Sequence, residues 1–183
     1  MKRVLLSSIL LIATSLAAIA YETIIIKYPA GELWVKAYYK KVGTEAILQY
    51  VPNGQSYENW KRSIIIHSYK DSGFPVRTFI SNDTAKMMKT NPSSHYKYLR
   101  LTDNDAIAGR CTQDYNGIKA QCEFYRVTRA HGGIISIHYI NKNKTDFMNN
   151  YQQWYDIIKK AKLYNSYYRD ERTLDKSEYF ELW

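Results

Sequence analysis

The chain has 183 residues, with 26 Lys and Arg against 17 Asp and Glu and a formal net charge of +9. That length suits one ordinary domain and excludes both a mini-protein and two full-sized domains. Apolar residues make up 45% and charged residues 23%, near the globular norm, which excludes wholesale disorder. The positive surplus points to acidic surfaces as partners and says nothing about fold.

The N-terminus carries Lys2 and Arg3, then an apolar run from Val4 to Ala20 broken only by Ser and Thr. It closes on Ala18-Ile19-Ala20, the small-x-small ending that a signal peptidase reads, so residues 1–20 are expected to be a signal peptide cleaved after Ala20. The competing reading is a single membrane anchor, for which the run is at the short end of the spanning range. Tyr21 follows the cut, not Cys, which argues against a lipoprotein. Removing residues 1–20 takes away two basic and no acidic residues and leaves 163 residues at net +7. The mature chain is expected to be soluble, without a transmembrane segment, in the periplasm or outside the cell.

Tyr21–Lys27, Leu33–Lys40 and Ala46–Val51 read as strands, separated by Pro29-Ala30-Gly31 and stopped by Pro52-Asn53-Gly54. Ser56 can cap a short helical turn carrying Tyr57 and Trp60. Ser63–Tyr69 is a strand, and Ile64-Ile65-Ile66 suggests burial on both faces. Phe74-Pro75 opens a helix to about Lys89, with Val76, Phe79, Ile80, Thr84 and Met87 near one face and Asn91-Pro92 ending it. Tyr96–Leu101 is a strand and Asp103-Asn104-Asp105 a turn.

Ile107–Gln113 and Lys119–Arg129 form a hairpin about Asn116-Gly117, the dipeptide of a type I′ turn, whose central residues both need positive φ. With that loop, residue i faces residue 233 − i, and Cys111 falls opposite Cys122. They are the only two cysteines. In an exported chain they are expected to form one structural disulfide. No C-x-x-C supports a redox pair, and two thiols without His at ligand spacing leave a zinc ion half coordinated.

His131-Gly132-Gly133 turns the chain into the strand Ile134–Ile140. A last helix is capped by Thr145, has Asp146 in its first turn, and carries Phe147, Tyr151, Trp154, Tyr155, Ile158 and Ala161 as a core-facing stripe. Lys159, Lys160 and Lys162 suit its C-terminal end. The expected domain is 21–163, followed by a charged, aromatic tail over 164–183. Short connections imply antiparallel neighbours, so the expected class is α+β, one twisted antiparallel sheet with helices packed on it.

That element order resembles the Mog1/PsbP-like α/β/α sandwich, whose members mostly bind partners. Separately, Val51-Pro52-Asn53-Gly54-Gln55-Ser56-Tyr57-Glu58-Asn59-Trp60 is similar to a V-P-x-G-x-S-x-E-N-W pattern of small uncharacterised exported proteins from bacteria that live inside host cells. Cys122–Val127 and Ile135–Tyr139 resemble the same group, so the matches touch residues 46–163. The resemblance implies export and carries no activity with it.

No G-x-S-x-G, H-E-x-x-H, Walker loop or G-x-G-x-x-G is present. Asp103-Asn104-Asp105 lacks the Gly and closing Glu of a calcium loop. No metal or cofactor is expected. Among the four histidines, His67 and His138 lie in strands that could be neighbours and could serve as base and acid in metal-free phosphodiester cleavage. Lys70, Lys97 and Arg126 would then attend the phosphate. Lys40, Lys41, Lys61 and Arg62 could gather at one edge as an anion-binding patch, against the plainer reading of a solvated surface.

The expected function is that of an exported, basic, non-enzymatic protein binding a macromolecular partner, a protein or an anionic surface, with nucleic acid second. Tyr57, Trp60, Tyr164, Tyr167, Tyr168 and Trp183 are its expected anchors, and core packing is the competing role for Trp60. The alternatives are a ribonuclease-like secreted hydrolase acting through His67 and His138, and a structural accessory protein of the cell envelope.

Overall fold

The computed structural model describes residues 22–165. The expected signal peptide and its cleavage point lie outside them, as do Tyr167, Tyr168, Trp183 and the side chain of Tyr164.

Two meanders make the main sheet. The first is β2 (Trp34–Val42), β3 (Glu45–Pro52) and β4 (Arg62–Lys70); the second is β5 (His95–Leu101), β6 (Asp105–Thr112), β7 (Gln121–Ala130) and β8 (Gly133–Asn141). Between them α1 (Val76–Thr90) carries the chain from β4 to the far edge, and β8 returns to pair with β4. The order is β2-β3-β4-β8-β7-β6-β5, with every neighbour antiparallel. The structure fits the α+β class.

The local chemistry explains the turns. Asn116 and Gly117 both have positive φ, 46° and 79°. Cys111 faces Cys122 in the register, and the two form the disulfide with Cα atoms 4.1 Å apart. Gly133 has φ +156°, and a Cβ there would lie 2.1 Å from the Tyr69 carbonyl oxygen, so only glycine lets β8 start against β4. Both edge strands are interrupted by bulges, at Lys36/Tyr38 and Tyr98/Arg100, which with their lysines and arginines discourage further strand addition.

Helices cover both faces. On one, α2 (Lys144–Asn149) and α3 (Tyr151–Lys160) bury Phe147, Trp154 and Ile158 against Ile64, Ile66, Phe124, Ile137 and Tyr139. On the other, α1 buries Val76 and Ile80 against Ala106, Ala108, Tyr125, Val127 and Ile134. The expected closing helix is two helices broken at Asn150, and its cap is Asn143, whose side chain accepts from the Asp146 N–H, not Thr145. Arg126 reaches from β7 to the Lys159 and Ala161 carbonyls and closes the end of α3.

Three expectations shift. Strand β1 (Glu22–Ile25) stands apart from the main sheet and pairs with β9 (Lys162–Asn165), so the fold runs past 163 and takes in the first residues assigned to the tail. Ile65 is half-exposed while Ile64 and Ile66 are buried, because α1 does not extend over β4's far half. No helix forms after Ser56, although its hydroxyl accepts from the Asn59 N–H at 3.2 Å, as a cap would. Among the described residues no helix is long and apolar enough to cross a membrane.

Candidate functional site

Strand alternation sends Glu123 and Tyr125 to the α1 side of β7, Ser136 and His138 to the same side of β8, and His67 and Tyr69 to that side of β4. There the cross-strand pairs His67–Ser136 and Tyr125–His138 lie in adjacent rows. The His67 and His138 rings come to 5.9 Å between centroids. The two histidines that the sequence offered as a pair are therefore brought together.

Their partners define what they can do. Glu123, 1% exposed, forms an ion pair with Arg110 and a hydrogen bond with His138 Nδ1, the latter at 3.0 Å. A carboxylate only accepts, so His138 Nδ1–H donates to it, and in the neutral ring Nε2 accepts from the Ser136 hydroxyl at 3.0 Å. His67 Nδ1 meets the Tyr69 hydroxyl at 2.8 Å. Tyr125 stacks on His138 at 5.1 Å with planes 8° apart. Arg110 also donates to the Tyr96 hydroxyl at 2.9 Å and lies 3.9 Å from Asp83 of α1.

Burial works against the charge of Glu123, but the His138 hydrogen bond and the Arg110 guanidinium outweigh it and hold the carboxyl below its ordinary range. Burial, reinforced by His138, pushes His67 down to about 4, so at neutral pH it is an uncharged imidazole. Burial pushes Tyr69 up to about 12. The site is thus a charged pair, Arg110–Glu123, with the His67 and His138 rings beside it.

Ser136, His138 and Glu123 have the connectivity of a nucleophile, a base and its orienting acid. Ser136 is only 2% exposed, however, and the strand N–H groups around it lie within paired ladders, which leaves no oxyanion site from the backbone. Both nitrogens of His138 are engaged. The cations expected to attend a phosphate do not converge: Lys97 and Arg126 point to the α2–α3 side, and Arg126 is held by Asp105 and the end of α3. Lys70 is exposed at the end of β4. Among the described residues no group of His, Cys, Asp or Glu is arranged to hold a metal ion.

Beyond α1, the same face stays open over β2, β3 and β4. Tyr38, Ile47, Ile65 and His67 are half-exposed there, with Lys40 beside Ile47 in the register. Tyr57 closes one end by stacking on Tyr38 at 4.5 Å with planes 19° apart. Trp60 is half-buried, with Lys142 Nζ 3.6 Å from its ring centroid, so it is neither a core residue nor a freely presented anchor. The four basic residues expected to gather do not: Lys40 and Lys41 end β2, whereas Lys61 and Arg62 begin β4, which runs parallel to it, and Arg62 pairs with Glu32 at 2.9 Å.

Glu123, Arg110 and Ser136 were not singled out from sequence, yet one signal pointed to two of them. The register that sets Cys111 against Cys122 also sets Arg110 against Glu123.

No curated protein matches the sequence. A family model matches residues 26–166 of the 183, a span that holds both meanders, all three helices and every residue of the histidine cluster, and the chain belongs to that uncharacterised bacterial family.

Proposed function

We infer that the protein is an exported, non-enzymatic binding protein whose partner surface is the open strip of sheet between α1 and the Tyr38–Tyr57 stack. The observation that carries this reading is that α1 covers β5–β7 and leaves half-exposed Tyr38, Ile47, Ile65 and His67 contiguous across three strands. Aromatic and aliphatic side chains held by a rigid sheet, with Lys40 at their edge, suit a protein or anionic partner. The disulfide fits an oxidising compartment, and the signal-like N-terminus fits export to it. Helices on both faces are compatible with a Mog1/PsbP-like sandwich, and the resemblance of Val51–Trp60 to a pattern of exported proteins from intracellular bacteria favours a host or envelope partner.

Capture from bacterial-envelope and host lysates by the immobilised mature chain tests the reading. Tyr57→Ala and Ile65→Asp should abolish capture of whatever the wild type retains, while Gln153→Ala, exposed on α3, should not. Capture that is indifferent to both strip substitutions would overturn it.

The approach of His67 to His138 favours one second reading, metal-independent phosphodiester cleavage. Only His67 Nε2 is left to face a substrate, so purified protein should leave RNA intact. Cleavage lost in a folded His67→Gln variant would promote this reading over the first.

A further inference from the structure

On the opposite face lies a hollow of about 220 Å³ over the edge strand β5 and its neighbour β6. We propose that it binds a small amphipathic carboxylate, with its apolar body against Phe124, Phe147 and Met148 and its anion at Lys97. The site is independent of the strip inferred above, because strand alternation places it on the other side of the sheet.

The hollow follows from how this face is covered. Helices α2 and α3 pack over β7 and β8 and leave β5 and β6 bare. In the register Lys97, Gly109 and Phe124 form one row across three strands. Gly109 has no side chain to fill the space, and a Cβ there would sit 3.3 Å from the Phe124 ring. An aromatic ring laid over a strand glycine is also a device that restores packing to the strand. That explains Phe124, but it leaves unfilled the volume beyond it toward Leu99 and Met148. Phe147 stacks on Phe124 at 5.0 Å, and Tyr151 meets it edge-on at 4.6 Å, so the helix-side wall is rigid and aromatic. Met148, 56% exposed, forms an adaptable outer lip.

Size and charge define the ligand. An apolar cavity of about 150 Å³ takes a benzene ring, so this one takes a ring or a short acyl chain with a few further atoms. Four acidic or basic side chains belong to residues around it. Arg110 and Glu123 turn to the other face and pair with each other, leaving exposed His95 and Lys97 at the mouth. Among the described residues at the mouth Lys97 is thus opposed by no carboxylate, which complements an anion on an apolar body.

Titration of the full mature chain with phenylacetate, and with phenylacetamide as its neutral counterpart, tests the proposal by NMR. Phenylacetate should move the Met148 methyl and the Gly109 and Phe124 amide resonances, and the amide should bind about threefold to fivefold more weakly, the size of one exposed ion pair. Lys97→Glu, an exposed substitution that should not disturb the fold, should weaken the acid by at least that factor and leave the amide unchanged. Gly109→Ala should weaken both. Unmoved resonances at all three positions, or acid and amide binding equally well and indifferent to Lys97→Glu, would overturn the assignment.

Discussion

The two faces of the sheet are made by the same strands and could hardly differ more. On β7, Phe124 enters an aromatic cluster with Phe147 and Tyr151, while Glu123 and Tyr125, its immediate neighbours, face an arginine and a histidine. The α2–α3 face is held by area and packing: Tyr139 stacks on Trp154 at 3.8 Å, and Ile64, Ile66 and Ile137 are fully buried. Such contacts add up without directional demands. The α1 face has an apolar cluster of its own under Val76 and Ile80, and beside it lies a polar network in which desolvation nearly cancels attraction, so that the network's members contribute little net stability while intact and cost much when one is lost. A sheet can thus be packed on both faces and keep a fully buried carboxylate with its partners on only one.

The largest expected effect is on the apolar face. Trp154→Ala should destabilise by roughly 3–5 kcal/mol in chemical denaturation, since it removes a ring 1% exposed and packed on Tyr139 and Trp34. Gln153→Ala, one residue away and exposed, should stay within about 0.5 kcal/mol. Equal effects at the two positions would erase the contrast between packed stripe and solvent.

On the polar face the expected signature is non-additivity. Glu123→Ala should cost about 3 kcal/mol, because Arg110 is left charged and largely buried, with only the half-exposed Asp83 at 3.9 Å to replace its close counter-ion. Replacing the pair together, Arg110→Met with Glu123→Leu, should recover most of that loss, as apolar substitutes for a buried ion pair often do. Additive losses in the double variant would mean that this face is held as the other one is, by independent contacts.

The hairpin that links the two faces should give an intermediate effect. Cys111→Ser is expected to cost about 2–3 kcal/mol, near the lower end for a disulfide because the loop it closes is short. Two alkylatable thiols in material taken from the periplasm or medium would contradict both the pairing and the compartment.

How much of this was legible in the sequence follows the range of the interactions. The Asn116-Gly117 turn fixes the β6–β7 register, and with it both the disulfide and the Arg110–Glu123 pair, of which only the cysteines carry a recognisable chemical signature in the sequence. The turn at His131-Gly132 likewise sets Tyr125 against His138. What brings His67 to this place is the pairing of β4 with β8, which joins segments far apart in sequence. No turn encodes it, so two strand histidines could be called candidate neighbours and no more. The pairing of β1 with β9 was hidden for the same reason. The α2–α3 stripe is legible as a face, but its break at Asn150 is not, because the apolar spacing from Phe147 through Tyr151 and Trp154 to Ile158 keeps one helical period across the break.

The smallest expected effect separates the faces by pH. His67 titrates near 6.5 when unfolded and at about 4 in the fold, where burial first and the neighbouring His138 second disfavour its charge, Glu123 opposing them. Between those values the unfolded chain binds a proton that the folded chain refuses. The contribution is therefore fully present above about pH 6.5, is lost as pH falls toward 4, and changes no further below that. Discounted for the ring's partial exposure, the loss across this window should be about 2 kcal/mol. His67→Gln keeps a polar side chain beside Tyr69 but cannot titrate, so the stability difference between wild type and variant should swing by that amount between pH 7 and pH 4. Subtraction removes what the distant surface carboxylates contribute in common. Parallel profiles would mean that His67 is solvated enough to ionise freely, and that the α1 face is open in a way its half-buried rings do not suggest. In Trp154→Ala, by contrast, the pH profile should keep the wild-type shape and only shift downward, because the rings that Trp154 packs on, Tyr139 and Trp34, do not change charge over this range.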